Sequence, residues 1–281
     1  MPVENVLRST TRSALGAARD RADRDQSGGA SERSLHSKSG DSLASRYSIR
    51  VVASVVFDIE TVGVSWESLD DGQRTYLTKY VRNEDERDKV PDLLSLWPLT
   101  GRIVVLGMVN PDSGRGRVWY EKTDGRLEET SADGLFTFVG DTEPTFLAEF
   151  WSAIVRFDRF VSFNGRCFDG PFLMLRSAAL GIRVTKNLCG YRYAIKPHTD
   201  LLDVLSFFGA SRKWNLDFAC KVFGVESPKE HGLDGYAVGH YYRENRLREI
   251  ALYCRRDVEA TAKLFLKLDK TLLPVLEDTR L

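Results

Sequence analysis

The sequence predicts an α/β domain built on a partly antiparallel sheet, and three observations carry that prediction. A β-rich apolar run, SIRVVASVVFDIE at residues 48–60, has the near-continuous hydrophobicity of a strand covered on both faces. Two further β-rich runs, IVVLGMVN (103–110) and RVWYEK (117–122), flank the turn-forming PDSGRG and read as a hairpin. The second half of the chain then carries helical periodicity, so strands come first and helices last.

Each element follows in chain order. Residues 1–46 are Ser, Arg, Gly and Asp with few large apolar groups; such a stretch cannot offset its ordering entropy and is expected to be a disordered tail. The folded domain is expected to span 47–281. The strand ending at VVFDIE leads into an acidic, weakly patterned insert at about 65–100, where short helical pieces fit. After the hairpin, Phe146, Leu147, Phe150, Trp151 and Ile154 form an apolar stripe over Glu143–Phe157, with Thr142 able to cap the helix and Pro144 suited to its first turn. RFVSFNG (159–165) is a short strand ending in an Asn-Gly turn, and FDGPFLMLRSAALG (168–181) is a helix stopped by Gly181. Helical stretches follow near 200–208, 215–223 and 245–268, and no internal repeat is found.

Composition narrows the function classes. Forty basic residues balance 40 acidic ones, so any nucleic-acid contact must come from a local patch rather than from bulk charge. Cys167, Cys189, Cys220 and Cys254 lie far apart with no C-x-x-C pair, which suggests neither a zinc site nor a redox motif. No apolar run approaches the roughly 18 residues of a membrane span, and no signal-peptide core is present, so a soluble, cytoplasmic protein is expected.

The chemistry is expected where the apolar strand meets two acids. Asp58 and Glu60 are two apart, so a strand projects both from one face. Like charges held that close repel unless something neutralises them: a hard divalent cation such as Mg²⁺ or Mn²⁺ suits carboxylate oxygens, whereas a pair in which one acid caps a helix and the other faces water needs no ion, and D-x-E alone leaves both readings open. FNGRCFDGPFL places Asp169 just after a strand and turn, at the start of a helix. In YCRRDVEAT, Tyr253 and Asp257 are four apart and share a helical face, whereas Arg256 and Asp257 are adjacent and do not face each other. His198 and Asp200 read as capping or supporting groups, since histidine matches an all-carboxylate centre poorly. A stretch without an acid between Arg176 and Lys196 carries Arg183, Lys186, Arg192 and Lys196 among Tyr191 and Tyr193, a mixture suited to single-stranded nucleic acid or simply to a solvated face.

Taken together, D-x-E, F-N-G-x-x-F-D and Y-x-x-x-D, in that order, resemble the three motifs of the DEDD, or DnaQ-like, 3′→5′ exonucleases, and the tyrosine marks the DEDDy subclass. HTDLLDVLSFFG (198–209) and DGYAVGHYY…LREIALYCRRDVEATAKLFL (234–266) bring the chain nearest to exonucleases related to the proofreading domain of family B DNA polymerases, here without a polymerase domain. The resemblance covers about residues 48–270. It implies a ribonuclease H-like α/β fold, with a mixed central sheet, helices on both faces and the metal site at the sheet's edge.

It also implies a site. Asp58, Glu60, Asp169 and Asp257 would hold two Mg²⁺ or Mn²⁺ ions, with Tyr253 orienting the attacking water. Thr61, Asn164 and Phe168 would border the terminal nucleotide, although a phenylalanine before a helix also suits the core. The partner would be nucleic acid with a free 3′ end, DNA before RNA, releasing nucleoside 5′-monophosphates. An RNA exonuclease and a catalytically silent binding module on the same fold stay open as alternatives.

Overall fold

The computed structural model describes residues 53–228 and 237–278. The expected disordered tail and the beginning of the first strand, Ser48–Val52, lie outside the described residues. Among the described residues, seven strands form one mixed sheet in the order β4-β5-β3-β2-β1-β6-β7. β1 (Ser54–Gly63) pairs antiparallel with β2 (Gly101–Val109), which pairs antiparallel with β3 (Gly116–Glu121). The hairpin is therefore present. β4 (Leu127–Thr130) is an edge strand against β5 (Phe136–Asp141), which runs parallel to β3; on the other side β6 (Arg159–Ser162) and β7 (His198–Asp200) continue the sheet parallel to β1.

The insert between β1 and β2 folds into short helices. α1 (Asp71–Thr78) has a capping box, with Asp70 and Gln73 satisfying each other's backbone N–H groups. α2 (Glu84–Arg87) and α3 (Val90–Leu93) follow, and Val90 and Leu94 anchor the segment in the interior. α4 (Glu143–Ile154) follows β5, and α5 (Asp169–Ala179) follows β6; α5 ends at Gly181, whose φ of +71° suits a residue without a Cβ. Thr142 precedes α4 but does not cap it with its side chain; its hydroxyl meets that of Thr145 instead, at 2.8 Å. The rest are α6 (Leu201–Leu205), α7 (Leu216–Val222), α8 (Val238–Arg243), the 25-residue α9 (Leu247–Thr271) and α10 (Leu273–Glu277).

The helices cover the two faces of the sheet, as the alternation along β1 shows. Val55, Phe57 and Ile59 point to one face, into a core with Phe146, Phe150, Trp151, Phe172 and Leu173 of α4 and α5. Val56 and Val62 point to the other, into a core with Ile250, Val258, Leu264 and Phe265 of α9. Positions 58 and 60 fall between these valines on the α9 face. The sheet thus presents two carboxylates in an otherwise apolar row beneath its longest helix.

One expectation about position is corrected. The metal site was expected at the sheet's edge, where β1 emerges. β1 is an interior strand, and it continues past Glu60 to Gly63, paired with β2 throughout. Only its other side opens: β6 pairs with Ser54–Val56 and goes no further. The carboxylates sit just beyond that point, where two parallel neighbours part and an α/β sheet forms its crevice.

Candidate active site

Three devices bring the acids together. The first is the period of β1, which fixes Asp58 and Glu60 on one face. A register irregularity between Glu60 and Thr61 then bends the strand immediately after the second acid. Thr61 turns its hydroxyl to the carbonyl of Ser95 in the insert, at 2.7 Å.

The second device is the turn from β6 to α5. Past the end of β6, the N–H of Ile59 has no strand partner, and Oδ1 of Asp169 accepts it at 3.0 Å. This bond ties the first residue of α5 to the backbone between Asp58 and Glu60. The turn before it is tightly built. Asn164 has φ of +68°, which an Asn tolerates better than most residues. A Cβ on Gly165 would stand 2.6 Å from that of Ser162 and 3.1 Å from Oδ2 of Asp169, so only glycine fits. Asp200 accepts the N–H groups of Asn164 and Arg166 at 2.8 and 2.9 Å and also caps α6 through that of Leu202 at 2.9 Å. It is the supporting group expected, not a ligand. His198 is likewise committed: Nε2 meets Ser162 Oγ at 2.7 Å and Nδ1 meets the carbonyl of Leu188. Burial holds its pKa down at about 4, so the ring is neutral near pH 7.

The third device is the close seating of α9. Asp58 lies opposite Gly107 of β2, and a Cβ on Gly107 would stand 2.8 Å from Sγ of Cys254 and 3.2 Å from Val258. The missing side chain lets α9 descend onto the sheet and lowers Tyr253, Cys254 and Asp257 onto the two strand acids. Arg255, a candidate neutraliser of Asp257, is occupied elsewhere, by Glu259 at 2.9 Å and Asp133 at 2.5 Å.

The electrostatics express this crowding. The Asp58 carboxyl is held well above the usual carboxylate range, first by burial and then by Asp169, Glu60 and Asp257. Asp58 retains some exposed surface, yet burial is still the largest cause. Glu60 is raised by burial, then by Asp257 and Asp169. Asp169 is raised to about 7 by burial, against the opposing pull of the backbone N–H groups it accepts. Among the described residues, no Lys or Arg forms an ion pair with Asp58, Glu60 or Asp169. The Tyr253 phenol is driven far up by burial, by Asp257, to which it hydrogen-bonds, and by Glu60 and Asp58. It is a neutral O–H group.

The structure therefore brings Asp58, Glu60, Asp169, Tyr253 and Asp257 to one place. Cys254 joins them unannounced: its thiol faces Asp58 Oδ2 at 3.7 Å, and oxygens of Asp58 and Glu60 and the sulfur lie within 4.8 Å of one another. Burial and the surrounding carboxylates keep it protonated. The signal was available, since Cys254 and Asp257 are three apart on a helix and so share a face. Phe168 packs its ring 5.5 Å from Phe172 and lies partly within the α4/α5 core. The donors left to a cation are carboxylate oxygens that repel one another, a set that fits Mg²⁺ or Mn²⁺.

No curated protein sequence matches the chain. The family B DNA polymerase from the hyperthermophilic archaeon Pyrobaculum calidifontis shares its fold, with a TM-score of 0.51 at 21% identity over 80% of this chain, which spans 26% of that polymerase. A family model described as "Predicted 3'-5' exonuclease related to the exonuclease domain of PolB" matches residues 126–275, just over half the chain. That stretch holds Asn164, Asp169, Tyr253 and Asp257 and leaves Asp58 and Glu60 outside it. With the α/β sheet like that of the polymerase and the acids gathered on it, the chain belongs to the family of predicted 3′→5′ exonucleases related to the exonuclease domain of PolB.

Proposed function

We propose that the chain removes nucleotides from the 3′ end of DNA, releasing nucleoside 5′-monophosphates, with its exonuclease domain at 47–281. The observation that carries the reading is the crowding of Asp58, Glu60, Asp169 and Asp257 on one face of the sheet, where their mutual repulsion calls for cations. These four would hold two divalent ions, Mg²⁺ or Mn²⁺. When bound, such ions supply an activated water and offset charge on the attacking and leaving oxygens of an in-line displacement at phosphorus.

The chain's own residues do the rest. Tyr253 keeps its proton, so its O–H orients the attacking water and does not deprotonate it. Asp257 accepts the Tyr253 hydrogen bond and fixes that orientation. Asp169, bound to the N–H of Ile59, holds its carboxylate in register with the strand acids. Thr61, after the β1 irregularity, and Asn164, in the turn before α5, would border the terminal nucleotide. Phe168 would offer it the ring surface left outside the core. Water attacks phosphorus as one of its protons passes to solvent, the bond to the 3′ oxygen breaks, and the departing oxygen takes a proton from solvent.

The test is digestion of end-labelled DNA and RNA, single- and double-stranded, with Mg²⁺, Mn²⁺ or EDTA. Mononucleotide release from DNA that EDTA abolishes is the expected result. Release that persists in EDTA, or confined to RNA, would overturn the reading in the first case and its substrate in the second.

A further inference from the structure

Beyond the crevice, a band of exposed rings and cations lies on the surface. Tyr191 and Tyr193 are 72% and 56% exposed. Their rings form a train: Tyr191 meets Tyr193 edge to face at 5.9 Å, and Tyr193 meets Phe208 at 5.8 Å. Phe208 and its exposed neighbour Phe207 are held at φ of +56° and +48°. Two successive bulky residues in the left-handed region are strained, and such strain clusters where a surface has work to do. Arg192 and Lys213 are both exposed, and the Arg192 guanidinium lies 5.9 Å from the centre of the Tyr193 ring.

The band is fixed to the catalytic end. Arg166, three residues before Asp169, donates to the carbonyls of Tyr191 and Ala194 at 2.8 and 2.7 Å and pairs with Asp203 of α6 at 3.1 Å. One guanidinium thus clamps both segments that carry the rings. Arg192 and Lys213 reach electrostatically to Cys167, two residues before Asp169, and to Asp203. The segments that carry the rings are therefore tied, through Arg166, to the turn that delivers Asp169.

Resting on the exonuclease reading above, we propose that Tyr191, Tyr193 and Phe208, with Arg192 and Lys213, form the track for the single-stranded DNA that precedes the scissile nucleotide. Exposed rings stack on bases of any sequence and nearby cations meet the phosphates, which is the chemistry of sequence-tolerant single-strand binding. A duplex hides its base faces and cannot use the rings.

The test measures fluorescence anisotropy of the full chain with single-stranded DNA of roughly 15 nucleotides, in EDTA to prevent hydrolysis. Double substitution of Tyr191→Ala and Tyr193→Ala should weaken binding about tenfold or more, the size of one lost stacking contact. Tyr193→Phe should keep the affinity, since stacking needs the ring and not the hydroxyl. Arg192→Glu with Lys213→Glu should weaken binding and flatten its salt dependence. In hydrolysis the loss should fall on KM rather than kcat. Wild-type affinity in the double alanine variant, an equal loss on blunt duplex, or a loss confined to RNA overturns the track. A wild-type chain that releases nucleotides while the variants bind normally removes the track alone. A wild-type chain that releases none from either polymer removes the reading beneath it.

Discussion

Asp58 and Glu60 work against the fold that holds them. Each carboxylate is kept above its ordinary range by burial and by its neighbours, so the metal-free domain carries their repulsion as a cost. Asp58→Asn or Asp257→Asn should therefore abolish nucleotide release and yet raise the melting temperature in EDTA, by roughly 2–4 °C per kcal/mol of repulsion relieved. A variant that loses activity and melts earlier would show these acids to be structural. Tyr253→Phe keeps the ring and loses the O–H, so kcat should fall while KM holds. An unchanged kcat would take Tyr253 out of the reaction. His198 answers to pH instead. In the folded chain it takes a proton only near pH 4, against 6.5 when unfolded. Between those values the unfolded chain binds more protons, so this residue's contribution is whole above pH 6.5 and is lost as pH falls through 4, up to about 3 kcal/mol in all. Its ring resonances should stay unshifted to pH 5, and His198→Asn should flatten that part of the melting profile. Titration near pH 6.5 in the folded chain would refute the assignment.

At the scale of elements, the site depends on how closely α9 lies on the sheet, and Gly107 controls that distance. Gly107→Ala puts a methyl group 2.8 Å from Cys254 Sγ. Either α9 lifts or β2 bends, so stability should fall by about 1–3 kcal/mol, and activity should fall as Tyr253 and Asp257 move off the strand acids. Adding Cys254→Ala removes the obstructing sulfur and should restore part of both; no recovery would place the strain elsewhere. Legibility divides along the same line. The period of two placed Asp58 and Glu60 on one face, and the helical period placed Tyr253 and Asp257 on another, because both follow from local geometry. The hairpin and the turn at Asn164-Gly165 were legible for the same reason. β4 (LEET) was not, since all four residues are exposed and carry no apolar alternation. β7 (HTD) was not either, since its three buried residues are polar and are paid for by partners distant in sequence. The Arg166 clamp likewise exists only in three dimensions. Gly107 was readable in principle, because a glycine inside a strand marks a close approach.

At the scale of the molecule, one sheet separates two cores, and the acids lie on the face under α9, at the point where β1 outruns β6. Strand, turn and helix are each tied to the others through that point: Asp169 to Ile59, Cys254 to Asp58, α9 to β2 across Gly107. Cations binding there would link all three elements and would not bind the unfolded chain as a set. Binding to the native state alone stabilises the whole domain by RT ln(1 + [L]/Kd), about 2.7 kcal/mol at a hundredfold excess over Kd. For a domain of this size that amounts to a rise of roughly 5–10 °C in Tm per site. Mn²⁺ added to chelator-treated protein should produce it, and EDTA should reverse it. The rise should be small in Asp58→Asn, whose metal-free form starts higher and whose site has lost a ligand. It should also shrink as pH falls toward 5, because the carboxylates must shed their protons before a cation can take their place. A wild-type Tm indifferent to Mn²⁺ at every pH would mean that the crowded carboxylates are not a metal centre.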